Sequence, residues 1–174
     1  MDLQKINWKL FVTDPSPASP DIFFRVFNTW IPNSPEVFID VADYSHVQDG
    51  PLTALIGYDE DYWLDAADRR LGLLYNRRTP MDGTNADKLS ATLQSVLRAA
   101  KRLEDDAAFK GKLKFRTDEL LFIVNDRALA PNTRETFEAV RPDIERAVGH
   151  LFGNSPKLDH LADPRRRFSV KITG

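Results

Sequence analysis

Thr53-Ala54-Leu55-Ile56-Gly57-Tyr58-Asp59-Glu60-Asp61-Tyr62-Trp63-Leu64 carries the pattern of two strands joined by a tight acidic turn. Residues 53 to 58 have the apolar, β-branched character of a strand, Asp59-Glu60-Asp61 reads as an acidic hairpin tip, and Tyr62-Trp63-Leu64 reads as the returning strand. After a polar turn, Leu71 to Arg77 reads as another strand. Connections this short leave no room for helical crossovers, so this part of the sheet is antiparallel.

Working upstream, Glu36 to Ala42 places Val37, Ile39 and Val41 on one face and Phe38, Asp40 and Ala42 on the other. Both faces are apolar apart from Asp40, which predicts a central strand. Pro20 to Ile31 repeats Ile22, Phe23, Val26, Phe27, Trp30 and Ile31 at helical spacing, with Ser19 as cap and Pro20 at the first helical position. The aromatic members of that stripe read as core rather than as a cofactor pocket. Ile6, Trp8 and Leu10 alternate with Asn7 and Lys9 as a half-buried strand.

Downstream, Asn85 to Asp105 is the clearest helix, with Leu89, Leu93, Val96, Leu97, Ala100 and Leu103 on one side. Lys112 to Arg116 and Leu120 to Asn125 read as strands broken by Thr117-Asp118-Glu119. Asn132 and Glu135 have capping-box spacing before a third helix, in which Pro142 predicts a kink or division. Phe168 to Thr173 alternates as a last strand. The pattern predicts one α+β domain over residues 1–174. Its architecture is a two-layer sandwich with a mixed, largely antiparallel sheet of about six to seven strands, packed by three amphipathic helices.

The chain has 174 residues and a net charge of −2, with no general attraction to nucleic acid or anionic lipid. Absent cysteines exclude disulfides, thiolate metal sites and a cysteine nucleophile. No signal-peptide pattern and no apolar run of the ~20 residues a membrane span needs is present, so a cytoplasmic location is expected. His46, His150 and His160 lack the spacing of a ligand motif, so no metal is expected, and no glycine pattern fits a nucleotide cofactor, so none is expected.

The candidate chemistry lies in Asp40, Asp43, Tyr44, Ser45 and His46, a polar cluster after a hydrophobic strand. Asp43 can orient His46 as general acid or base, with Tyr44 or Ser45 as proton donor or nucleophile. Against this, Ser45 and His46 are sequence neighbours that diverge on a strand, and no Gly-x-Ser-x-Gly elbow is present. The plainer reading is a turn in which Asp43 and Ser45 act as caps. The groups Arg69-Arg70, Arg77-Arg78 and Arg165-Arg166-Arg167 read as surface ion pairs or as captors of a phosphate or carboxylate. Arg127 can pair with Asp40 or Asp43, or line a small anion-binding cleft, so Arg77, Arg127 and Asp40 are the candidate ligand-binding residues.

Ile39-Asp40-Val41-Ala42-Asp43-Tyr44-Ser45-His46-Val47, Gly50-Pro51, Gly72-Leu73-Leu74-Tyr75-Asn76-Arg77-Arg78 and Ala130-Pro131-Asn132-Thr133 together resemble a family of small uncharacterised bacterial proteins. The resemblance spans nearly the whole chain and implies one complete domain, but no activity. Tyr58 departs from it, standing where that family has His. The function expected from the sequence is a non-catalytic cytoplasmic binding or accessory protein. It would work through protein–protein contacts, by self-association or as a subunit of a larger assembly, and could take a small anionic ligand. The alternative is a small hydrolase- or isomerase-type enzyme with a His46/Asp43 acid–base site and an arginine-lined anion pocket.

Overall fold

The computed structural model describes residues 1–153 and 155–174. The strands are β1 (Ile6–Val12), β2 (Phe38–Asp43), β3 (Pro51–Gly57), β4 (Glu60–Asp65), β5 (Gly72–Arg77), β6 (Phe115–Val124), β7 (Lys157–His160) and β8 (Phe168–Thr173). They form one sheet in the order β2-β3-β4-β5-β1-β6-β8-β7. The helices are α1 (Pro20–Trp30), α2 (Asn85–Asp105) and α3 (Arg134–Phe152). The fold is α+β, an open eight-stranded sheet with three helices packed on it. Every strand pair is antiparallel, so the sheet is not mixed, and it is wider than the sequence reading by β7.

All three helices cover the same face. Trp30 of α1 packs on Phe38 and Tyr62, and the Tyr62 hydroxyl reaches Ser95 O of α2. Trp8 of β1 donates from Nε1 to Thr92 Oγ1 of α2 at 2.9 Å and packs on Phe122. Phe122 meets Phe168, Phe168 meets His160, and His160 stacks on Phe137 of α3. Ile6, Trp8 and Leu10 of β1 and Leu120, Phe122 and Val124 of β6 thus enter the core. Lys9, Phe11, Leu121 and Ile123 face the side that carries no helix.

The structure departs from the sequence pattern at four places. β2 is an edge strand, not a central one. The register slips between Phe38 and Asp40, so Phe38 and Val41 both turn to the core while Val37 and Ile39 stay exposed. Glu60 and Asp61 lie inside β4, 7% and 5% exposed, rather than at a hairpin tip. A carboxylate at Glu60 is tolerable there because the Tyr62 and Tyr75 hydroxyls donate to its two oxygens at 2.8 and 2.9 Å. Burial, with Glu60 beside them, holds both phenols far above their ordinary range. Residues 115 to 124 are one strand, although its pairing with β1 slips where Leu10 faces Leu120 and Val12 faces Phe115. The cap of α3 is Thr133, whose Oγ1 accepts from Thr136 N, and α3 runs through Pro142 undivided.

Gly57 is required by close approach. A Cβ there would collide with the Glu60 carbonyl and press on Phe38 and the Val37 carbonyl. Gly57→Ala is expected to cost about 1–3 kcal/mol, read as a lower urea midpoint with an unchanged slope.

Candidate functional site

The helix-free face of the sheet holds a cavity of about 620 Å³, within the range of small-ligand sites. Its floor is strand: Lys9 and Phe11 of β1, Leu74 of β5, Glu119, Leu121 and Ile123 of β6, and Ser169 and Lys171 of β8. One wall is the Ala67–Arg70 loop, and the other is the β7–β8 connection, bearing Leu161 and Arg165-Arg166-Arg167. Asn125 and Arg127, beyond the end of β6, close a third side. Seven of the lining residues are Lys or Arg and three are Asp or Glu, although the whole chain carries −2. The excess cation is therefore local to this cavity.

The charges sort by partner. Lys9 Nζ donates to Asp65 Oδ2 at 2.6 Å, with side chains 3% and 7% exposed. The pair is buried, so each member depends on the other. Arg70 forks onto Glu119 at 2.5 and 3.0 Å and lies 3.7 Å over the Phe11 ring. That fork, first among several cations, pulls the Glu119 carboxyl below its ordinary value. Arg166 bridges the two walls by donating to Asp68 Oδ2 at 2.5 Å. Arg167 and Arg127 have no carboxylate within ion-pair distance among the described residues. Arg167 donates to Asn125 Oδ1 at 3.3 Å, and burial pulls its guanidinium below the ordinary arginine value. The Arg167 guanidinium is thus half-buried with a neutral amide as its hydrogen-bond partner.

The walls are held by design features. Asp68 and Arg69 both sit in the left-handed region, at φ 58° and 56°. That costs a non-glycine residue roughly 1–2 kcal/mol and persists only where the surroundings impose it. Here Asp49 Oδ1 accepts from Arg69 N at 3.1 Å, and Arg166 holds Asp68. The arginine-bearing connection is anchored from below by Asn132. Its Nδ2 donates to the Leu161 and Asp163 carbonyls, both at 2.9 Å, which fixes the amide orientation. Its Oδ1 therefore accepts from His160 Nε2 at 2.7 Å.

His160 carries a pH dependence. Burial lowers its folded pKa below the ordinary value. The unfolded chain thus binds the proton more readily, and the associated stability is present above about pH 6.5 and lost as pH falls below it. A fall in urea midpoint between about pH 6.5 and 5 is expected, ahead of any carboxylate titration. His160→Phe is expected to flatten that segment.

The residues singled out in the sequence are dispersed. Asp43 ends β2 and Tyr44, Ser45 and His46 follow it, all four exposed. Asp43 Oδ1 accepts from Ser45 N at 2.8 Å, and these Ser45 bonds lower its pKa. Tyr44 packs on Trp63, and His46 is outside the cavity. Asp40 is exposed and accepts from Val41 N at 2.8 Å, and it does not pair with Arg127. Arg77 serves the β4–β5 corner, donating to Thr79 O and Thr79 Oγ1 and lying 3.6 Å from Asp59. Of the candidate ligand-binding residues, only Arg127 lines the cavity, where the Arg70 and Arg165–Arg167 groups join it. Lys9, Asp65, Glu119 and Lys171 were not anticipated; the only trace in sequence is a lysine at a strand position flanked by Trp8 and Leu10. Among the described residues, no three His, Asp or Glu side chains converge as metal ligands, and no helix is long and apolar enough to cross a membrane. No family model matches the chain, and no curated protein sequence matches it.

Proposed function

We propose that this chain is a non-catalytic binding or accessory protein of the cytoplasm, and that its recognition site is the cationic cavity on the helix-free face of the sheet. The ligand group is an anion, a phosphate or carboxylate, borne by a small molecule or by a protein partner. The observation that carries this reading is Arg167, half-buried with no carboxylate beside it, together with Arg127 at the same mouth. Two guanidiniums in reach of one cavity match the bidentate geometry of phosphate and carboxylate oxygens. Leu74, Leu121 and Ile123 supply an apolar floor for the rest of the ligand.

A thermal-shift series with pyrophosphate, citrate and a glutamate-rich peptide tests this and separates small from protein-borne anions. Ligand at a hundredfold excess over Kd stabilises by about 2.7 kcal/mol, which is a rise of roughly 5–10 °C for a chain of this length. His46→Ala should leave the rise unchanged. A rise lost in His46→Ala supports the acid–base alternative instead, and no rise with any of the three anions contradicts the cavity as the site.

A further inference from the structure

We propose that the exposed edge of β2 docks an extended, lysine- or arginine-bearing segment of a partner protein as a ninth strand. This surface is distinct from the cationic cavity and does not depend on it. β2 ends the sheet, paired with β3 on one side only. An unpaired strand edge is a template for another chain.

The three most exposed large apolar side chains of the described residues gather at one end of this edge: Val37 at 67%, Tyr58 at 64% and Ile39 at 60%. Val37 and Tyr58 are tied together by the Tyr58 N to Val37 O bond of 2.9 Å. Tyr44 and Val47 add exposed apolar surface at the other end. Contiguous apolar exposure of this kind marks an interaction surface more than scattered single residues do.

Charge identifies the occupant. Residues 26–68 contain nine Asp or Glu and no Lys or Arg. Glu36, Asp40 and Asp43 follow one another along the edge, and none has an ion-pair partner within 4 Å among the described residues. A second copy docked edge to edge would bring these like charges together, which disfavours it. A cationic strand meets both features, its apolar side chains on Val37 and Ile39 and its cations on the acids. Asp40 already covers a backbone donor, accepting from Val41 N at 2.8 Å. An incoming carbonyl takes over that N–H and leaves the Asp40 carboxylate to an incoming ammonium or guanidinium.

The test is fluorescence anisotropy with a labelled eight-residue peptide alternating Lys and Val, with a Glu-Val peptide as control, and amide NMR to locate the contact. The expected result is binding of the Lys-Val peptide at least tenfold tighter than the Glu-Val peptide, with the largest amide shifts in residues 37–43. Ile39→Pro should weaken it at least tenfold. Ile39→Lys, at an exposed position that keeps the backbone intact, should weaken it to a similar degree even if the proline variant folds poorly. Equal binding by Ile39→Lys, or shifts spread over all acidic surfaces, overturns the proposal. So does a dimer of the free protein that Ile39→Lys converts to monomer, because the occupant is then a second copy.

Discussion

Asp65→Ala is expected to destabilise the protein by about 3–5 kcal/mol, lowering the melting temperature by on the order of 10 °C. The physical reason is Lys9, which Asp65 partners at 2.6 Å where both are nearly inaccessible. Removing the carboxylate leaves an ammonium buried beside Phe11, with the Ala67 carbonyl at 3.4 Å as its remaining acceptor. The double variant Lys9→Met/Asp65→Leu removes both charges and is expected to lie within about 1 kcal/mol of the wild type, or above it, because a buried ion pair is often no better than its apolar replacement. Urea unfolding of the two variants checks this. A double variant as unstable as the single one would mean that the pair stabilises the sheet outright.

Arg167→Met has the opposite sign on stability. The Arg167 guanidinium bears a desolvation cost that Asp65 and Asp68, both beyond ion-pair distance, offset only in part. The variant should therefore melt no lower than the wild type while its anion affinity falls at least tenfold, the loss of a charged hydrogen bond being about 1.5–3 kcal/mol. Removal of Arg127 as well should deepen the loss. A group that weakens the free protein and strengthens the complex is the expected signature of a binding residue. If Arg167→Met instead destabilises by several kcal/mol, the guanidinium is a structural tether for the β7–β8 connection.

The fold was largely legible in the sequence because periodicity is a local signal. The stripes of α1 and α2, the alternation of β1 and β8, and the short connections around β3, β4 and β5 each follow from side chains a few residues apart. The local signal misleads where one residue changes the period. The slip at Ile39 turned an edge strand into an apparent central one. Glu60 looked like a turn residue because the tyrosines that satisfy it are recognised only after β4 and β5 pair.

The candidate site was much less legible. Its charges come from β1, β4, β6, β8 and three connections, brought together only by the order β4-β5-β1-β6-β8. The sequence shows the arginine groups and Arg127, but not that Arg77 lies elsewhere. It also marks His46, whose cluster looked internal because it follows Val37-Phe38-Ile39 and is in fact an exposed turn at the sheet edge.

Whether Arg127 and Arg167 form an anion site is decided by calorimetric titration of the wild type and of Arg127→Ala/Arg167→Met with pyrophosphate at two ionic strengths. One site per wild-type chain is expected, weaker at higher salt, with binding by the double variant at least a hundredfold weaker at unchanged melting temperature. Equal affinity in the two proteins, or no binding by the wild type at millimolar pyrophosphate, would contradict it.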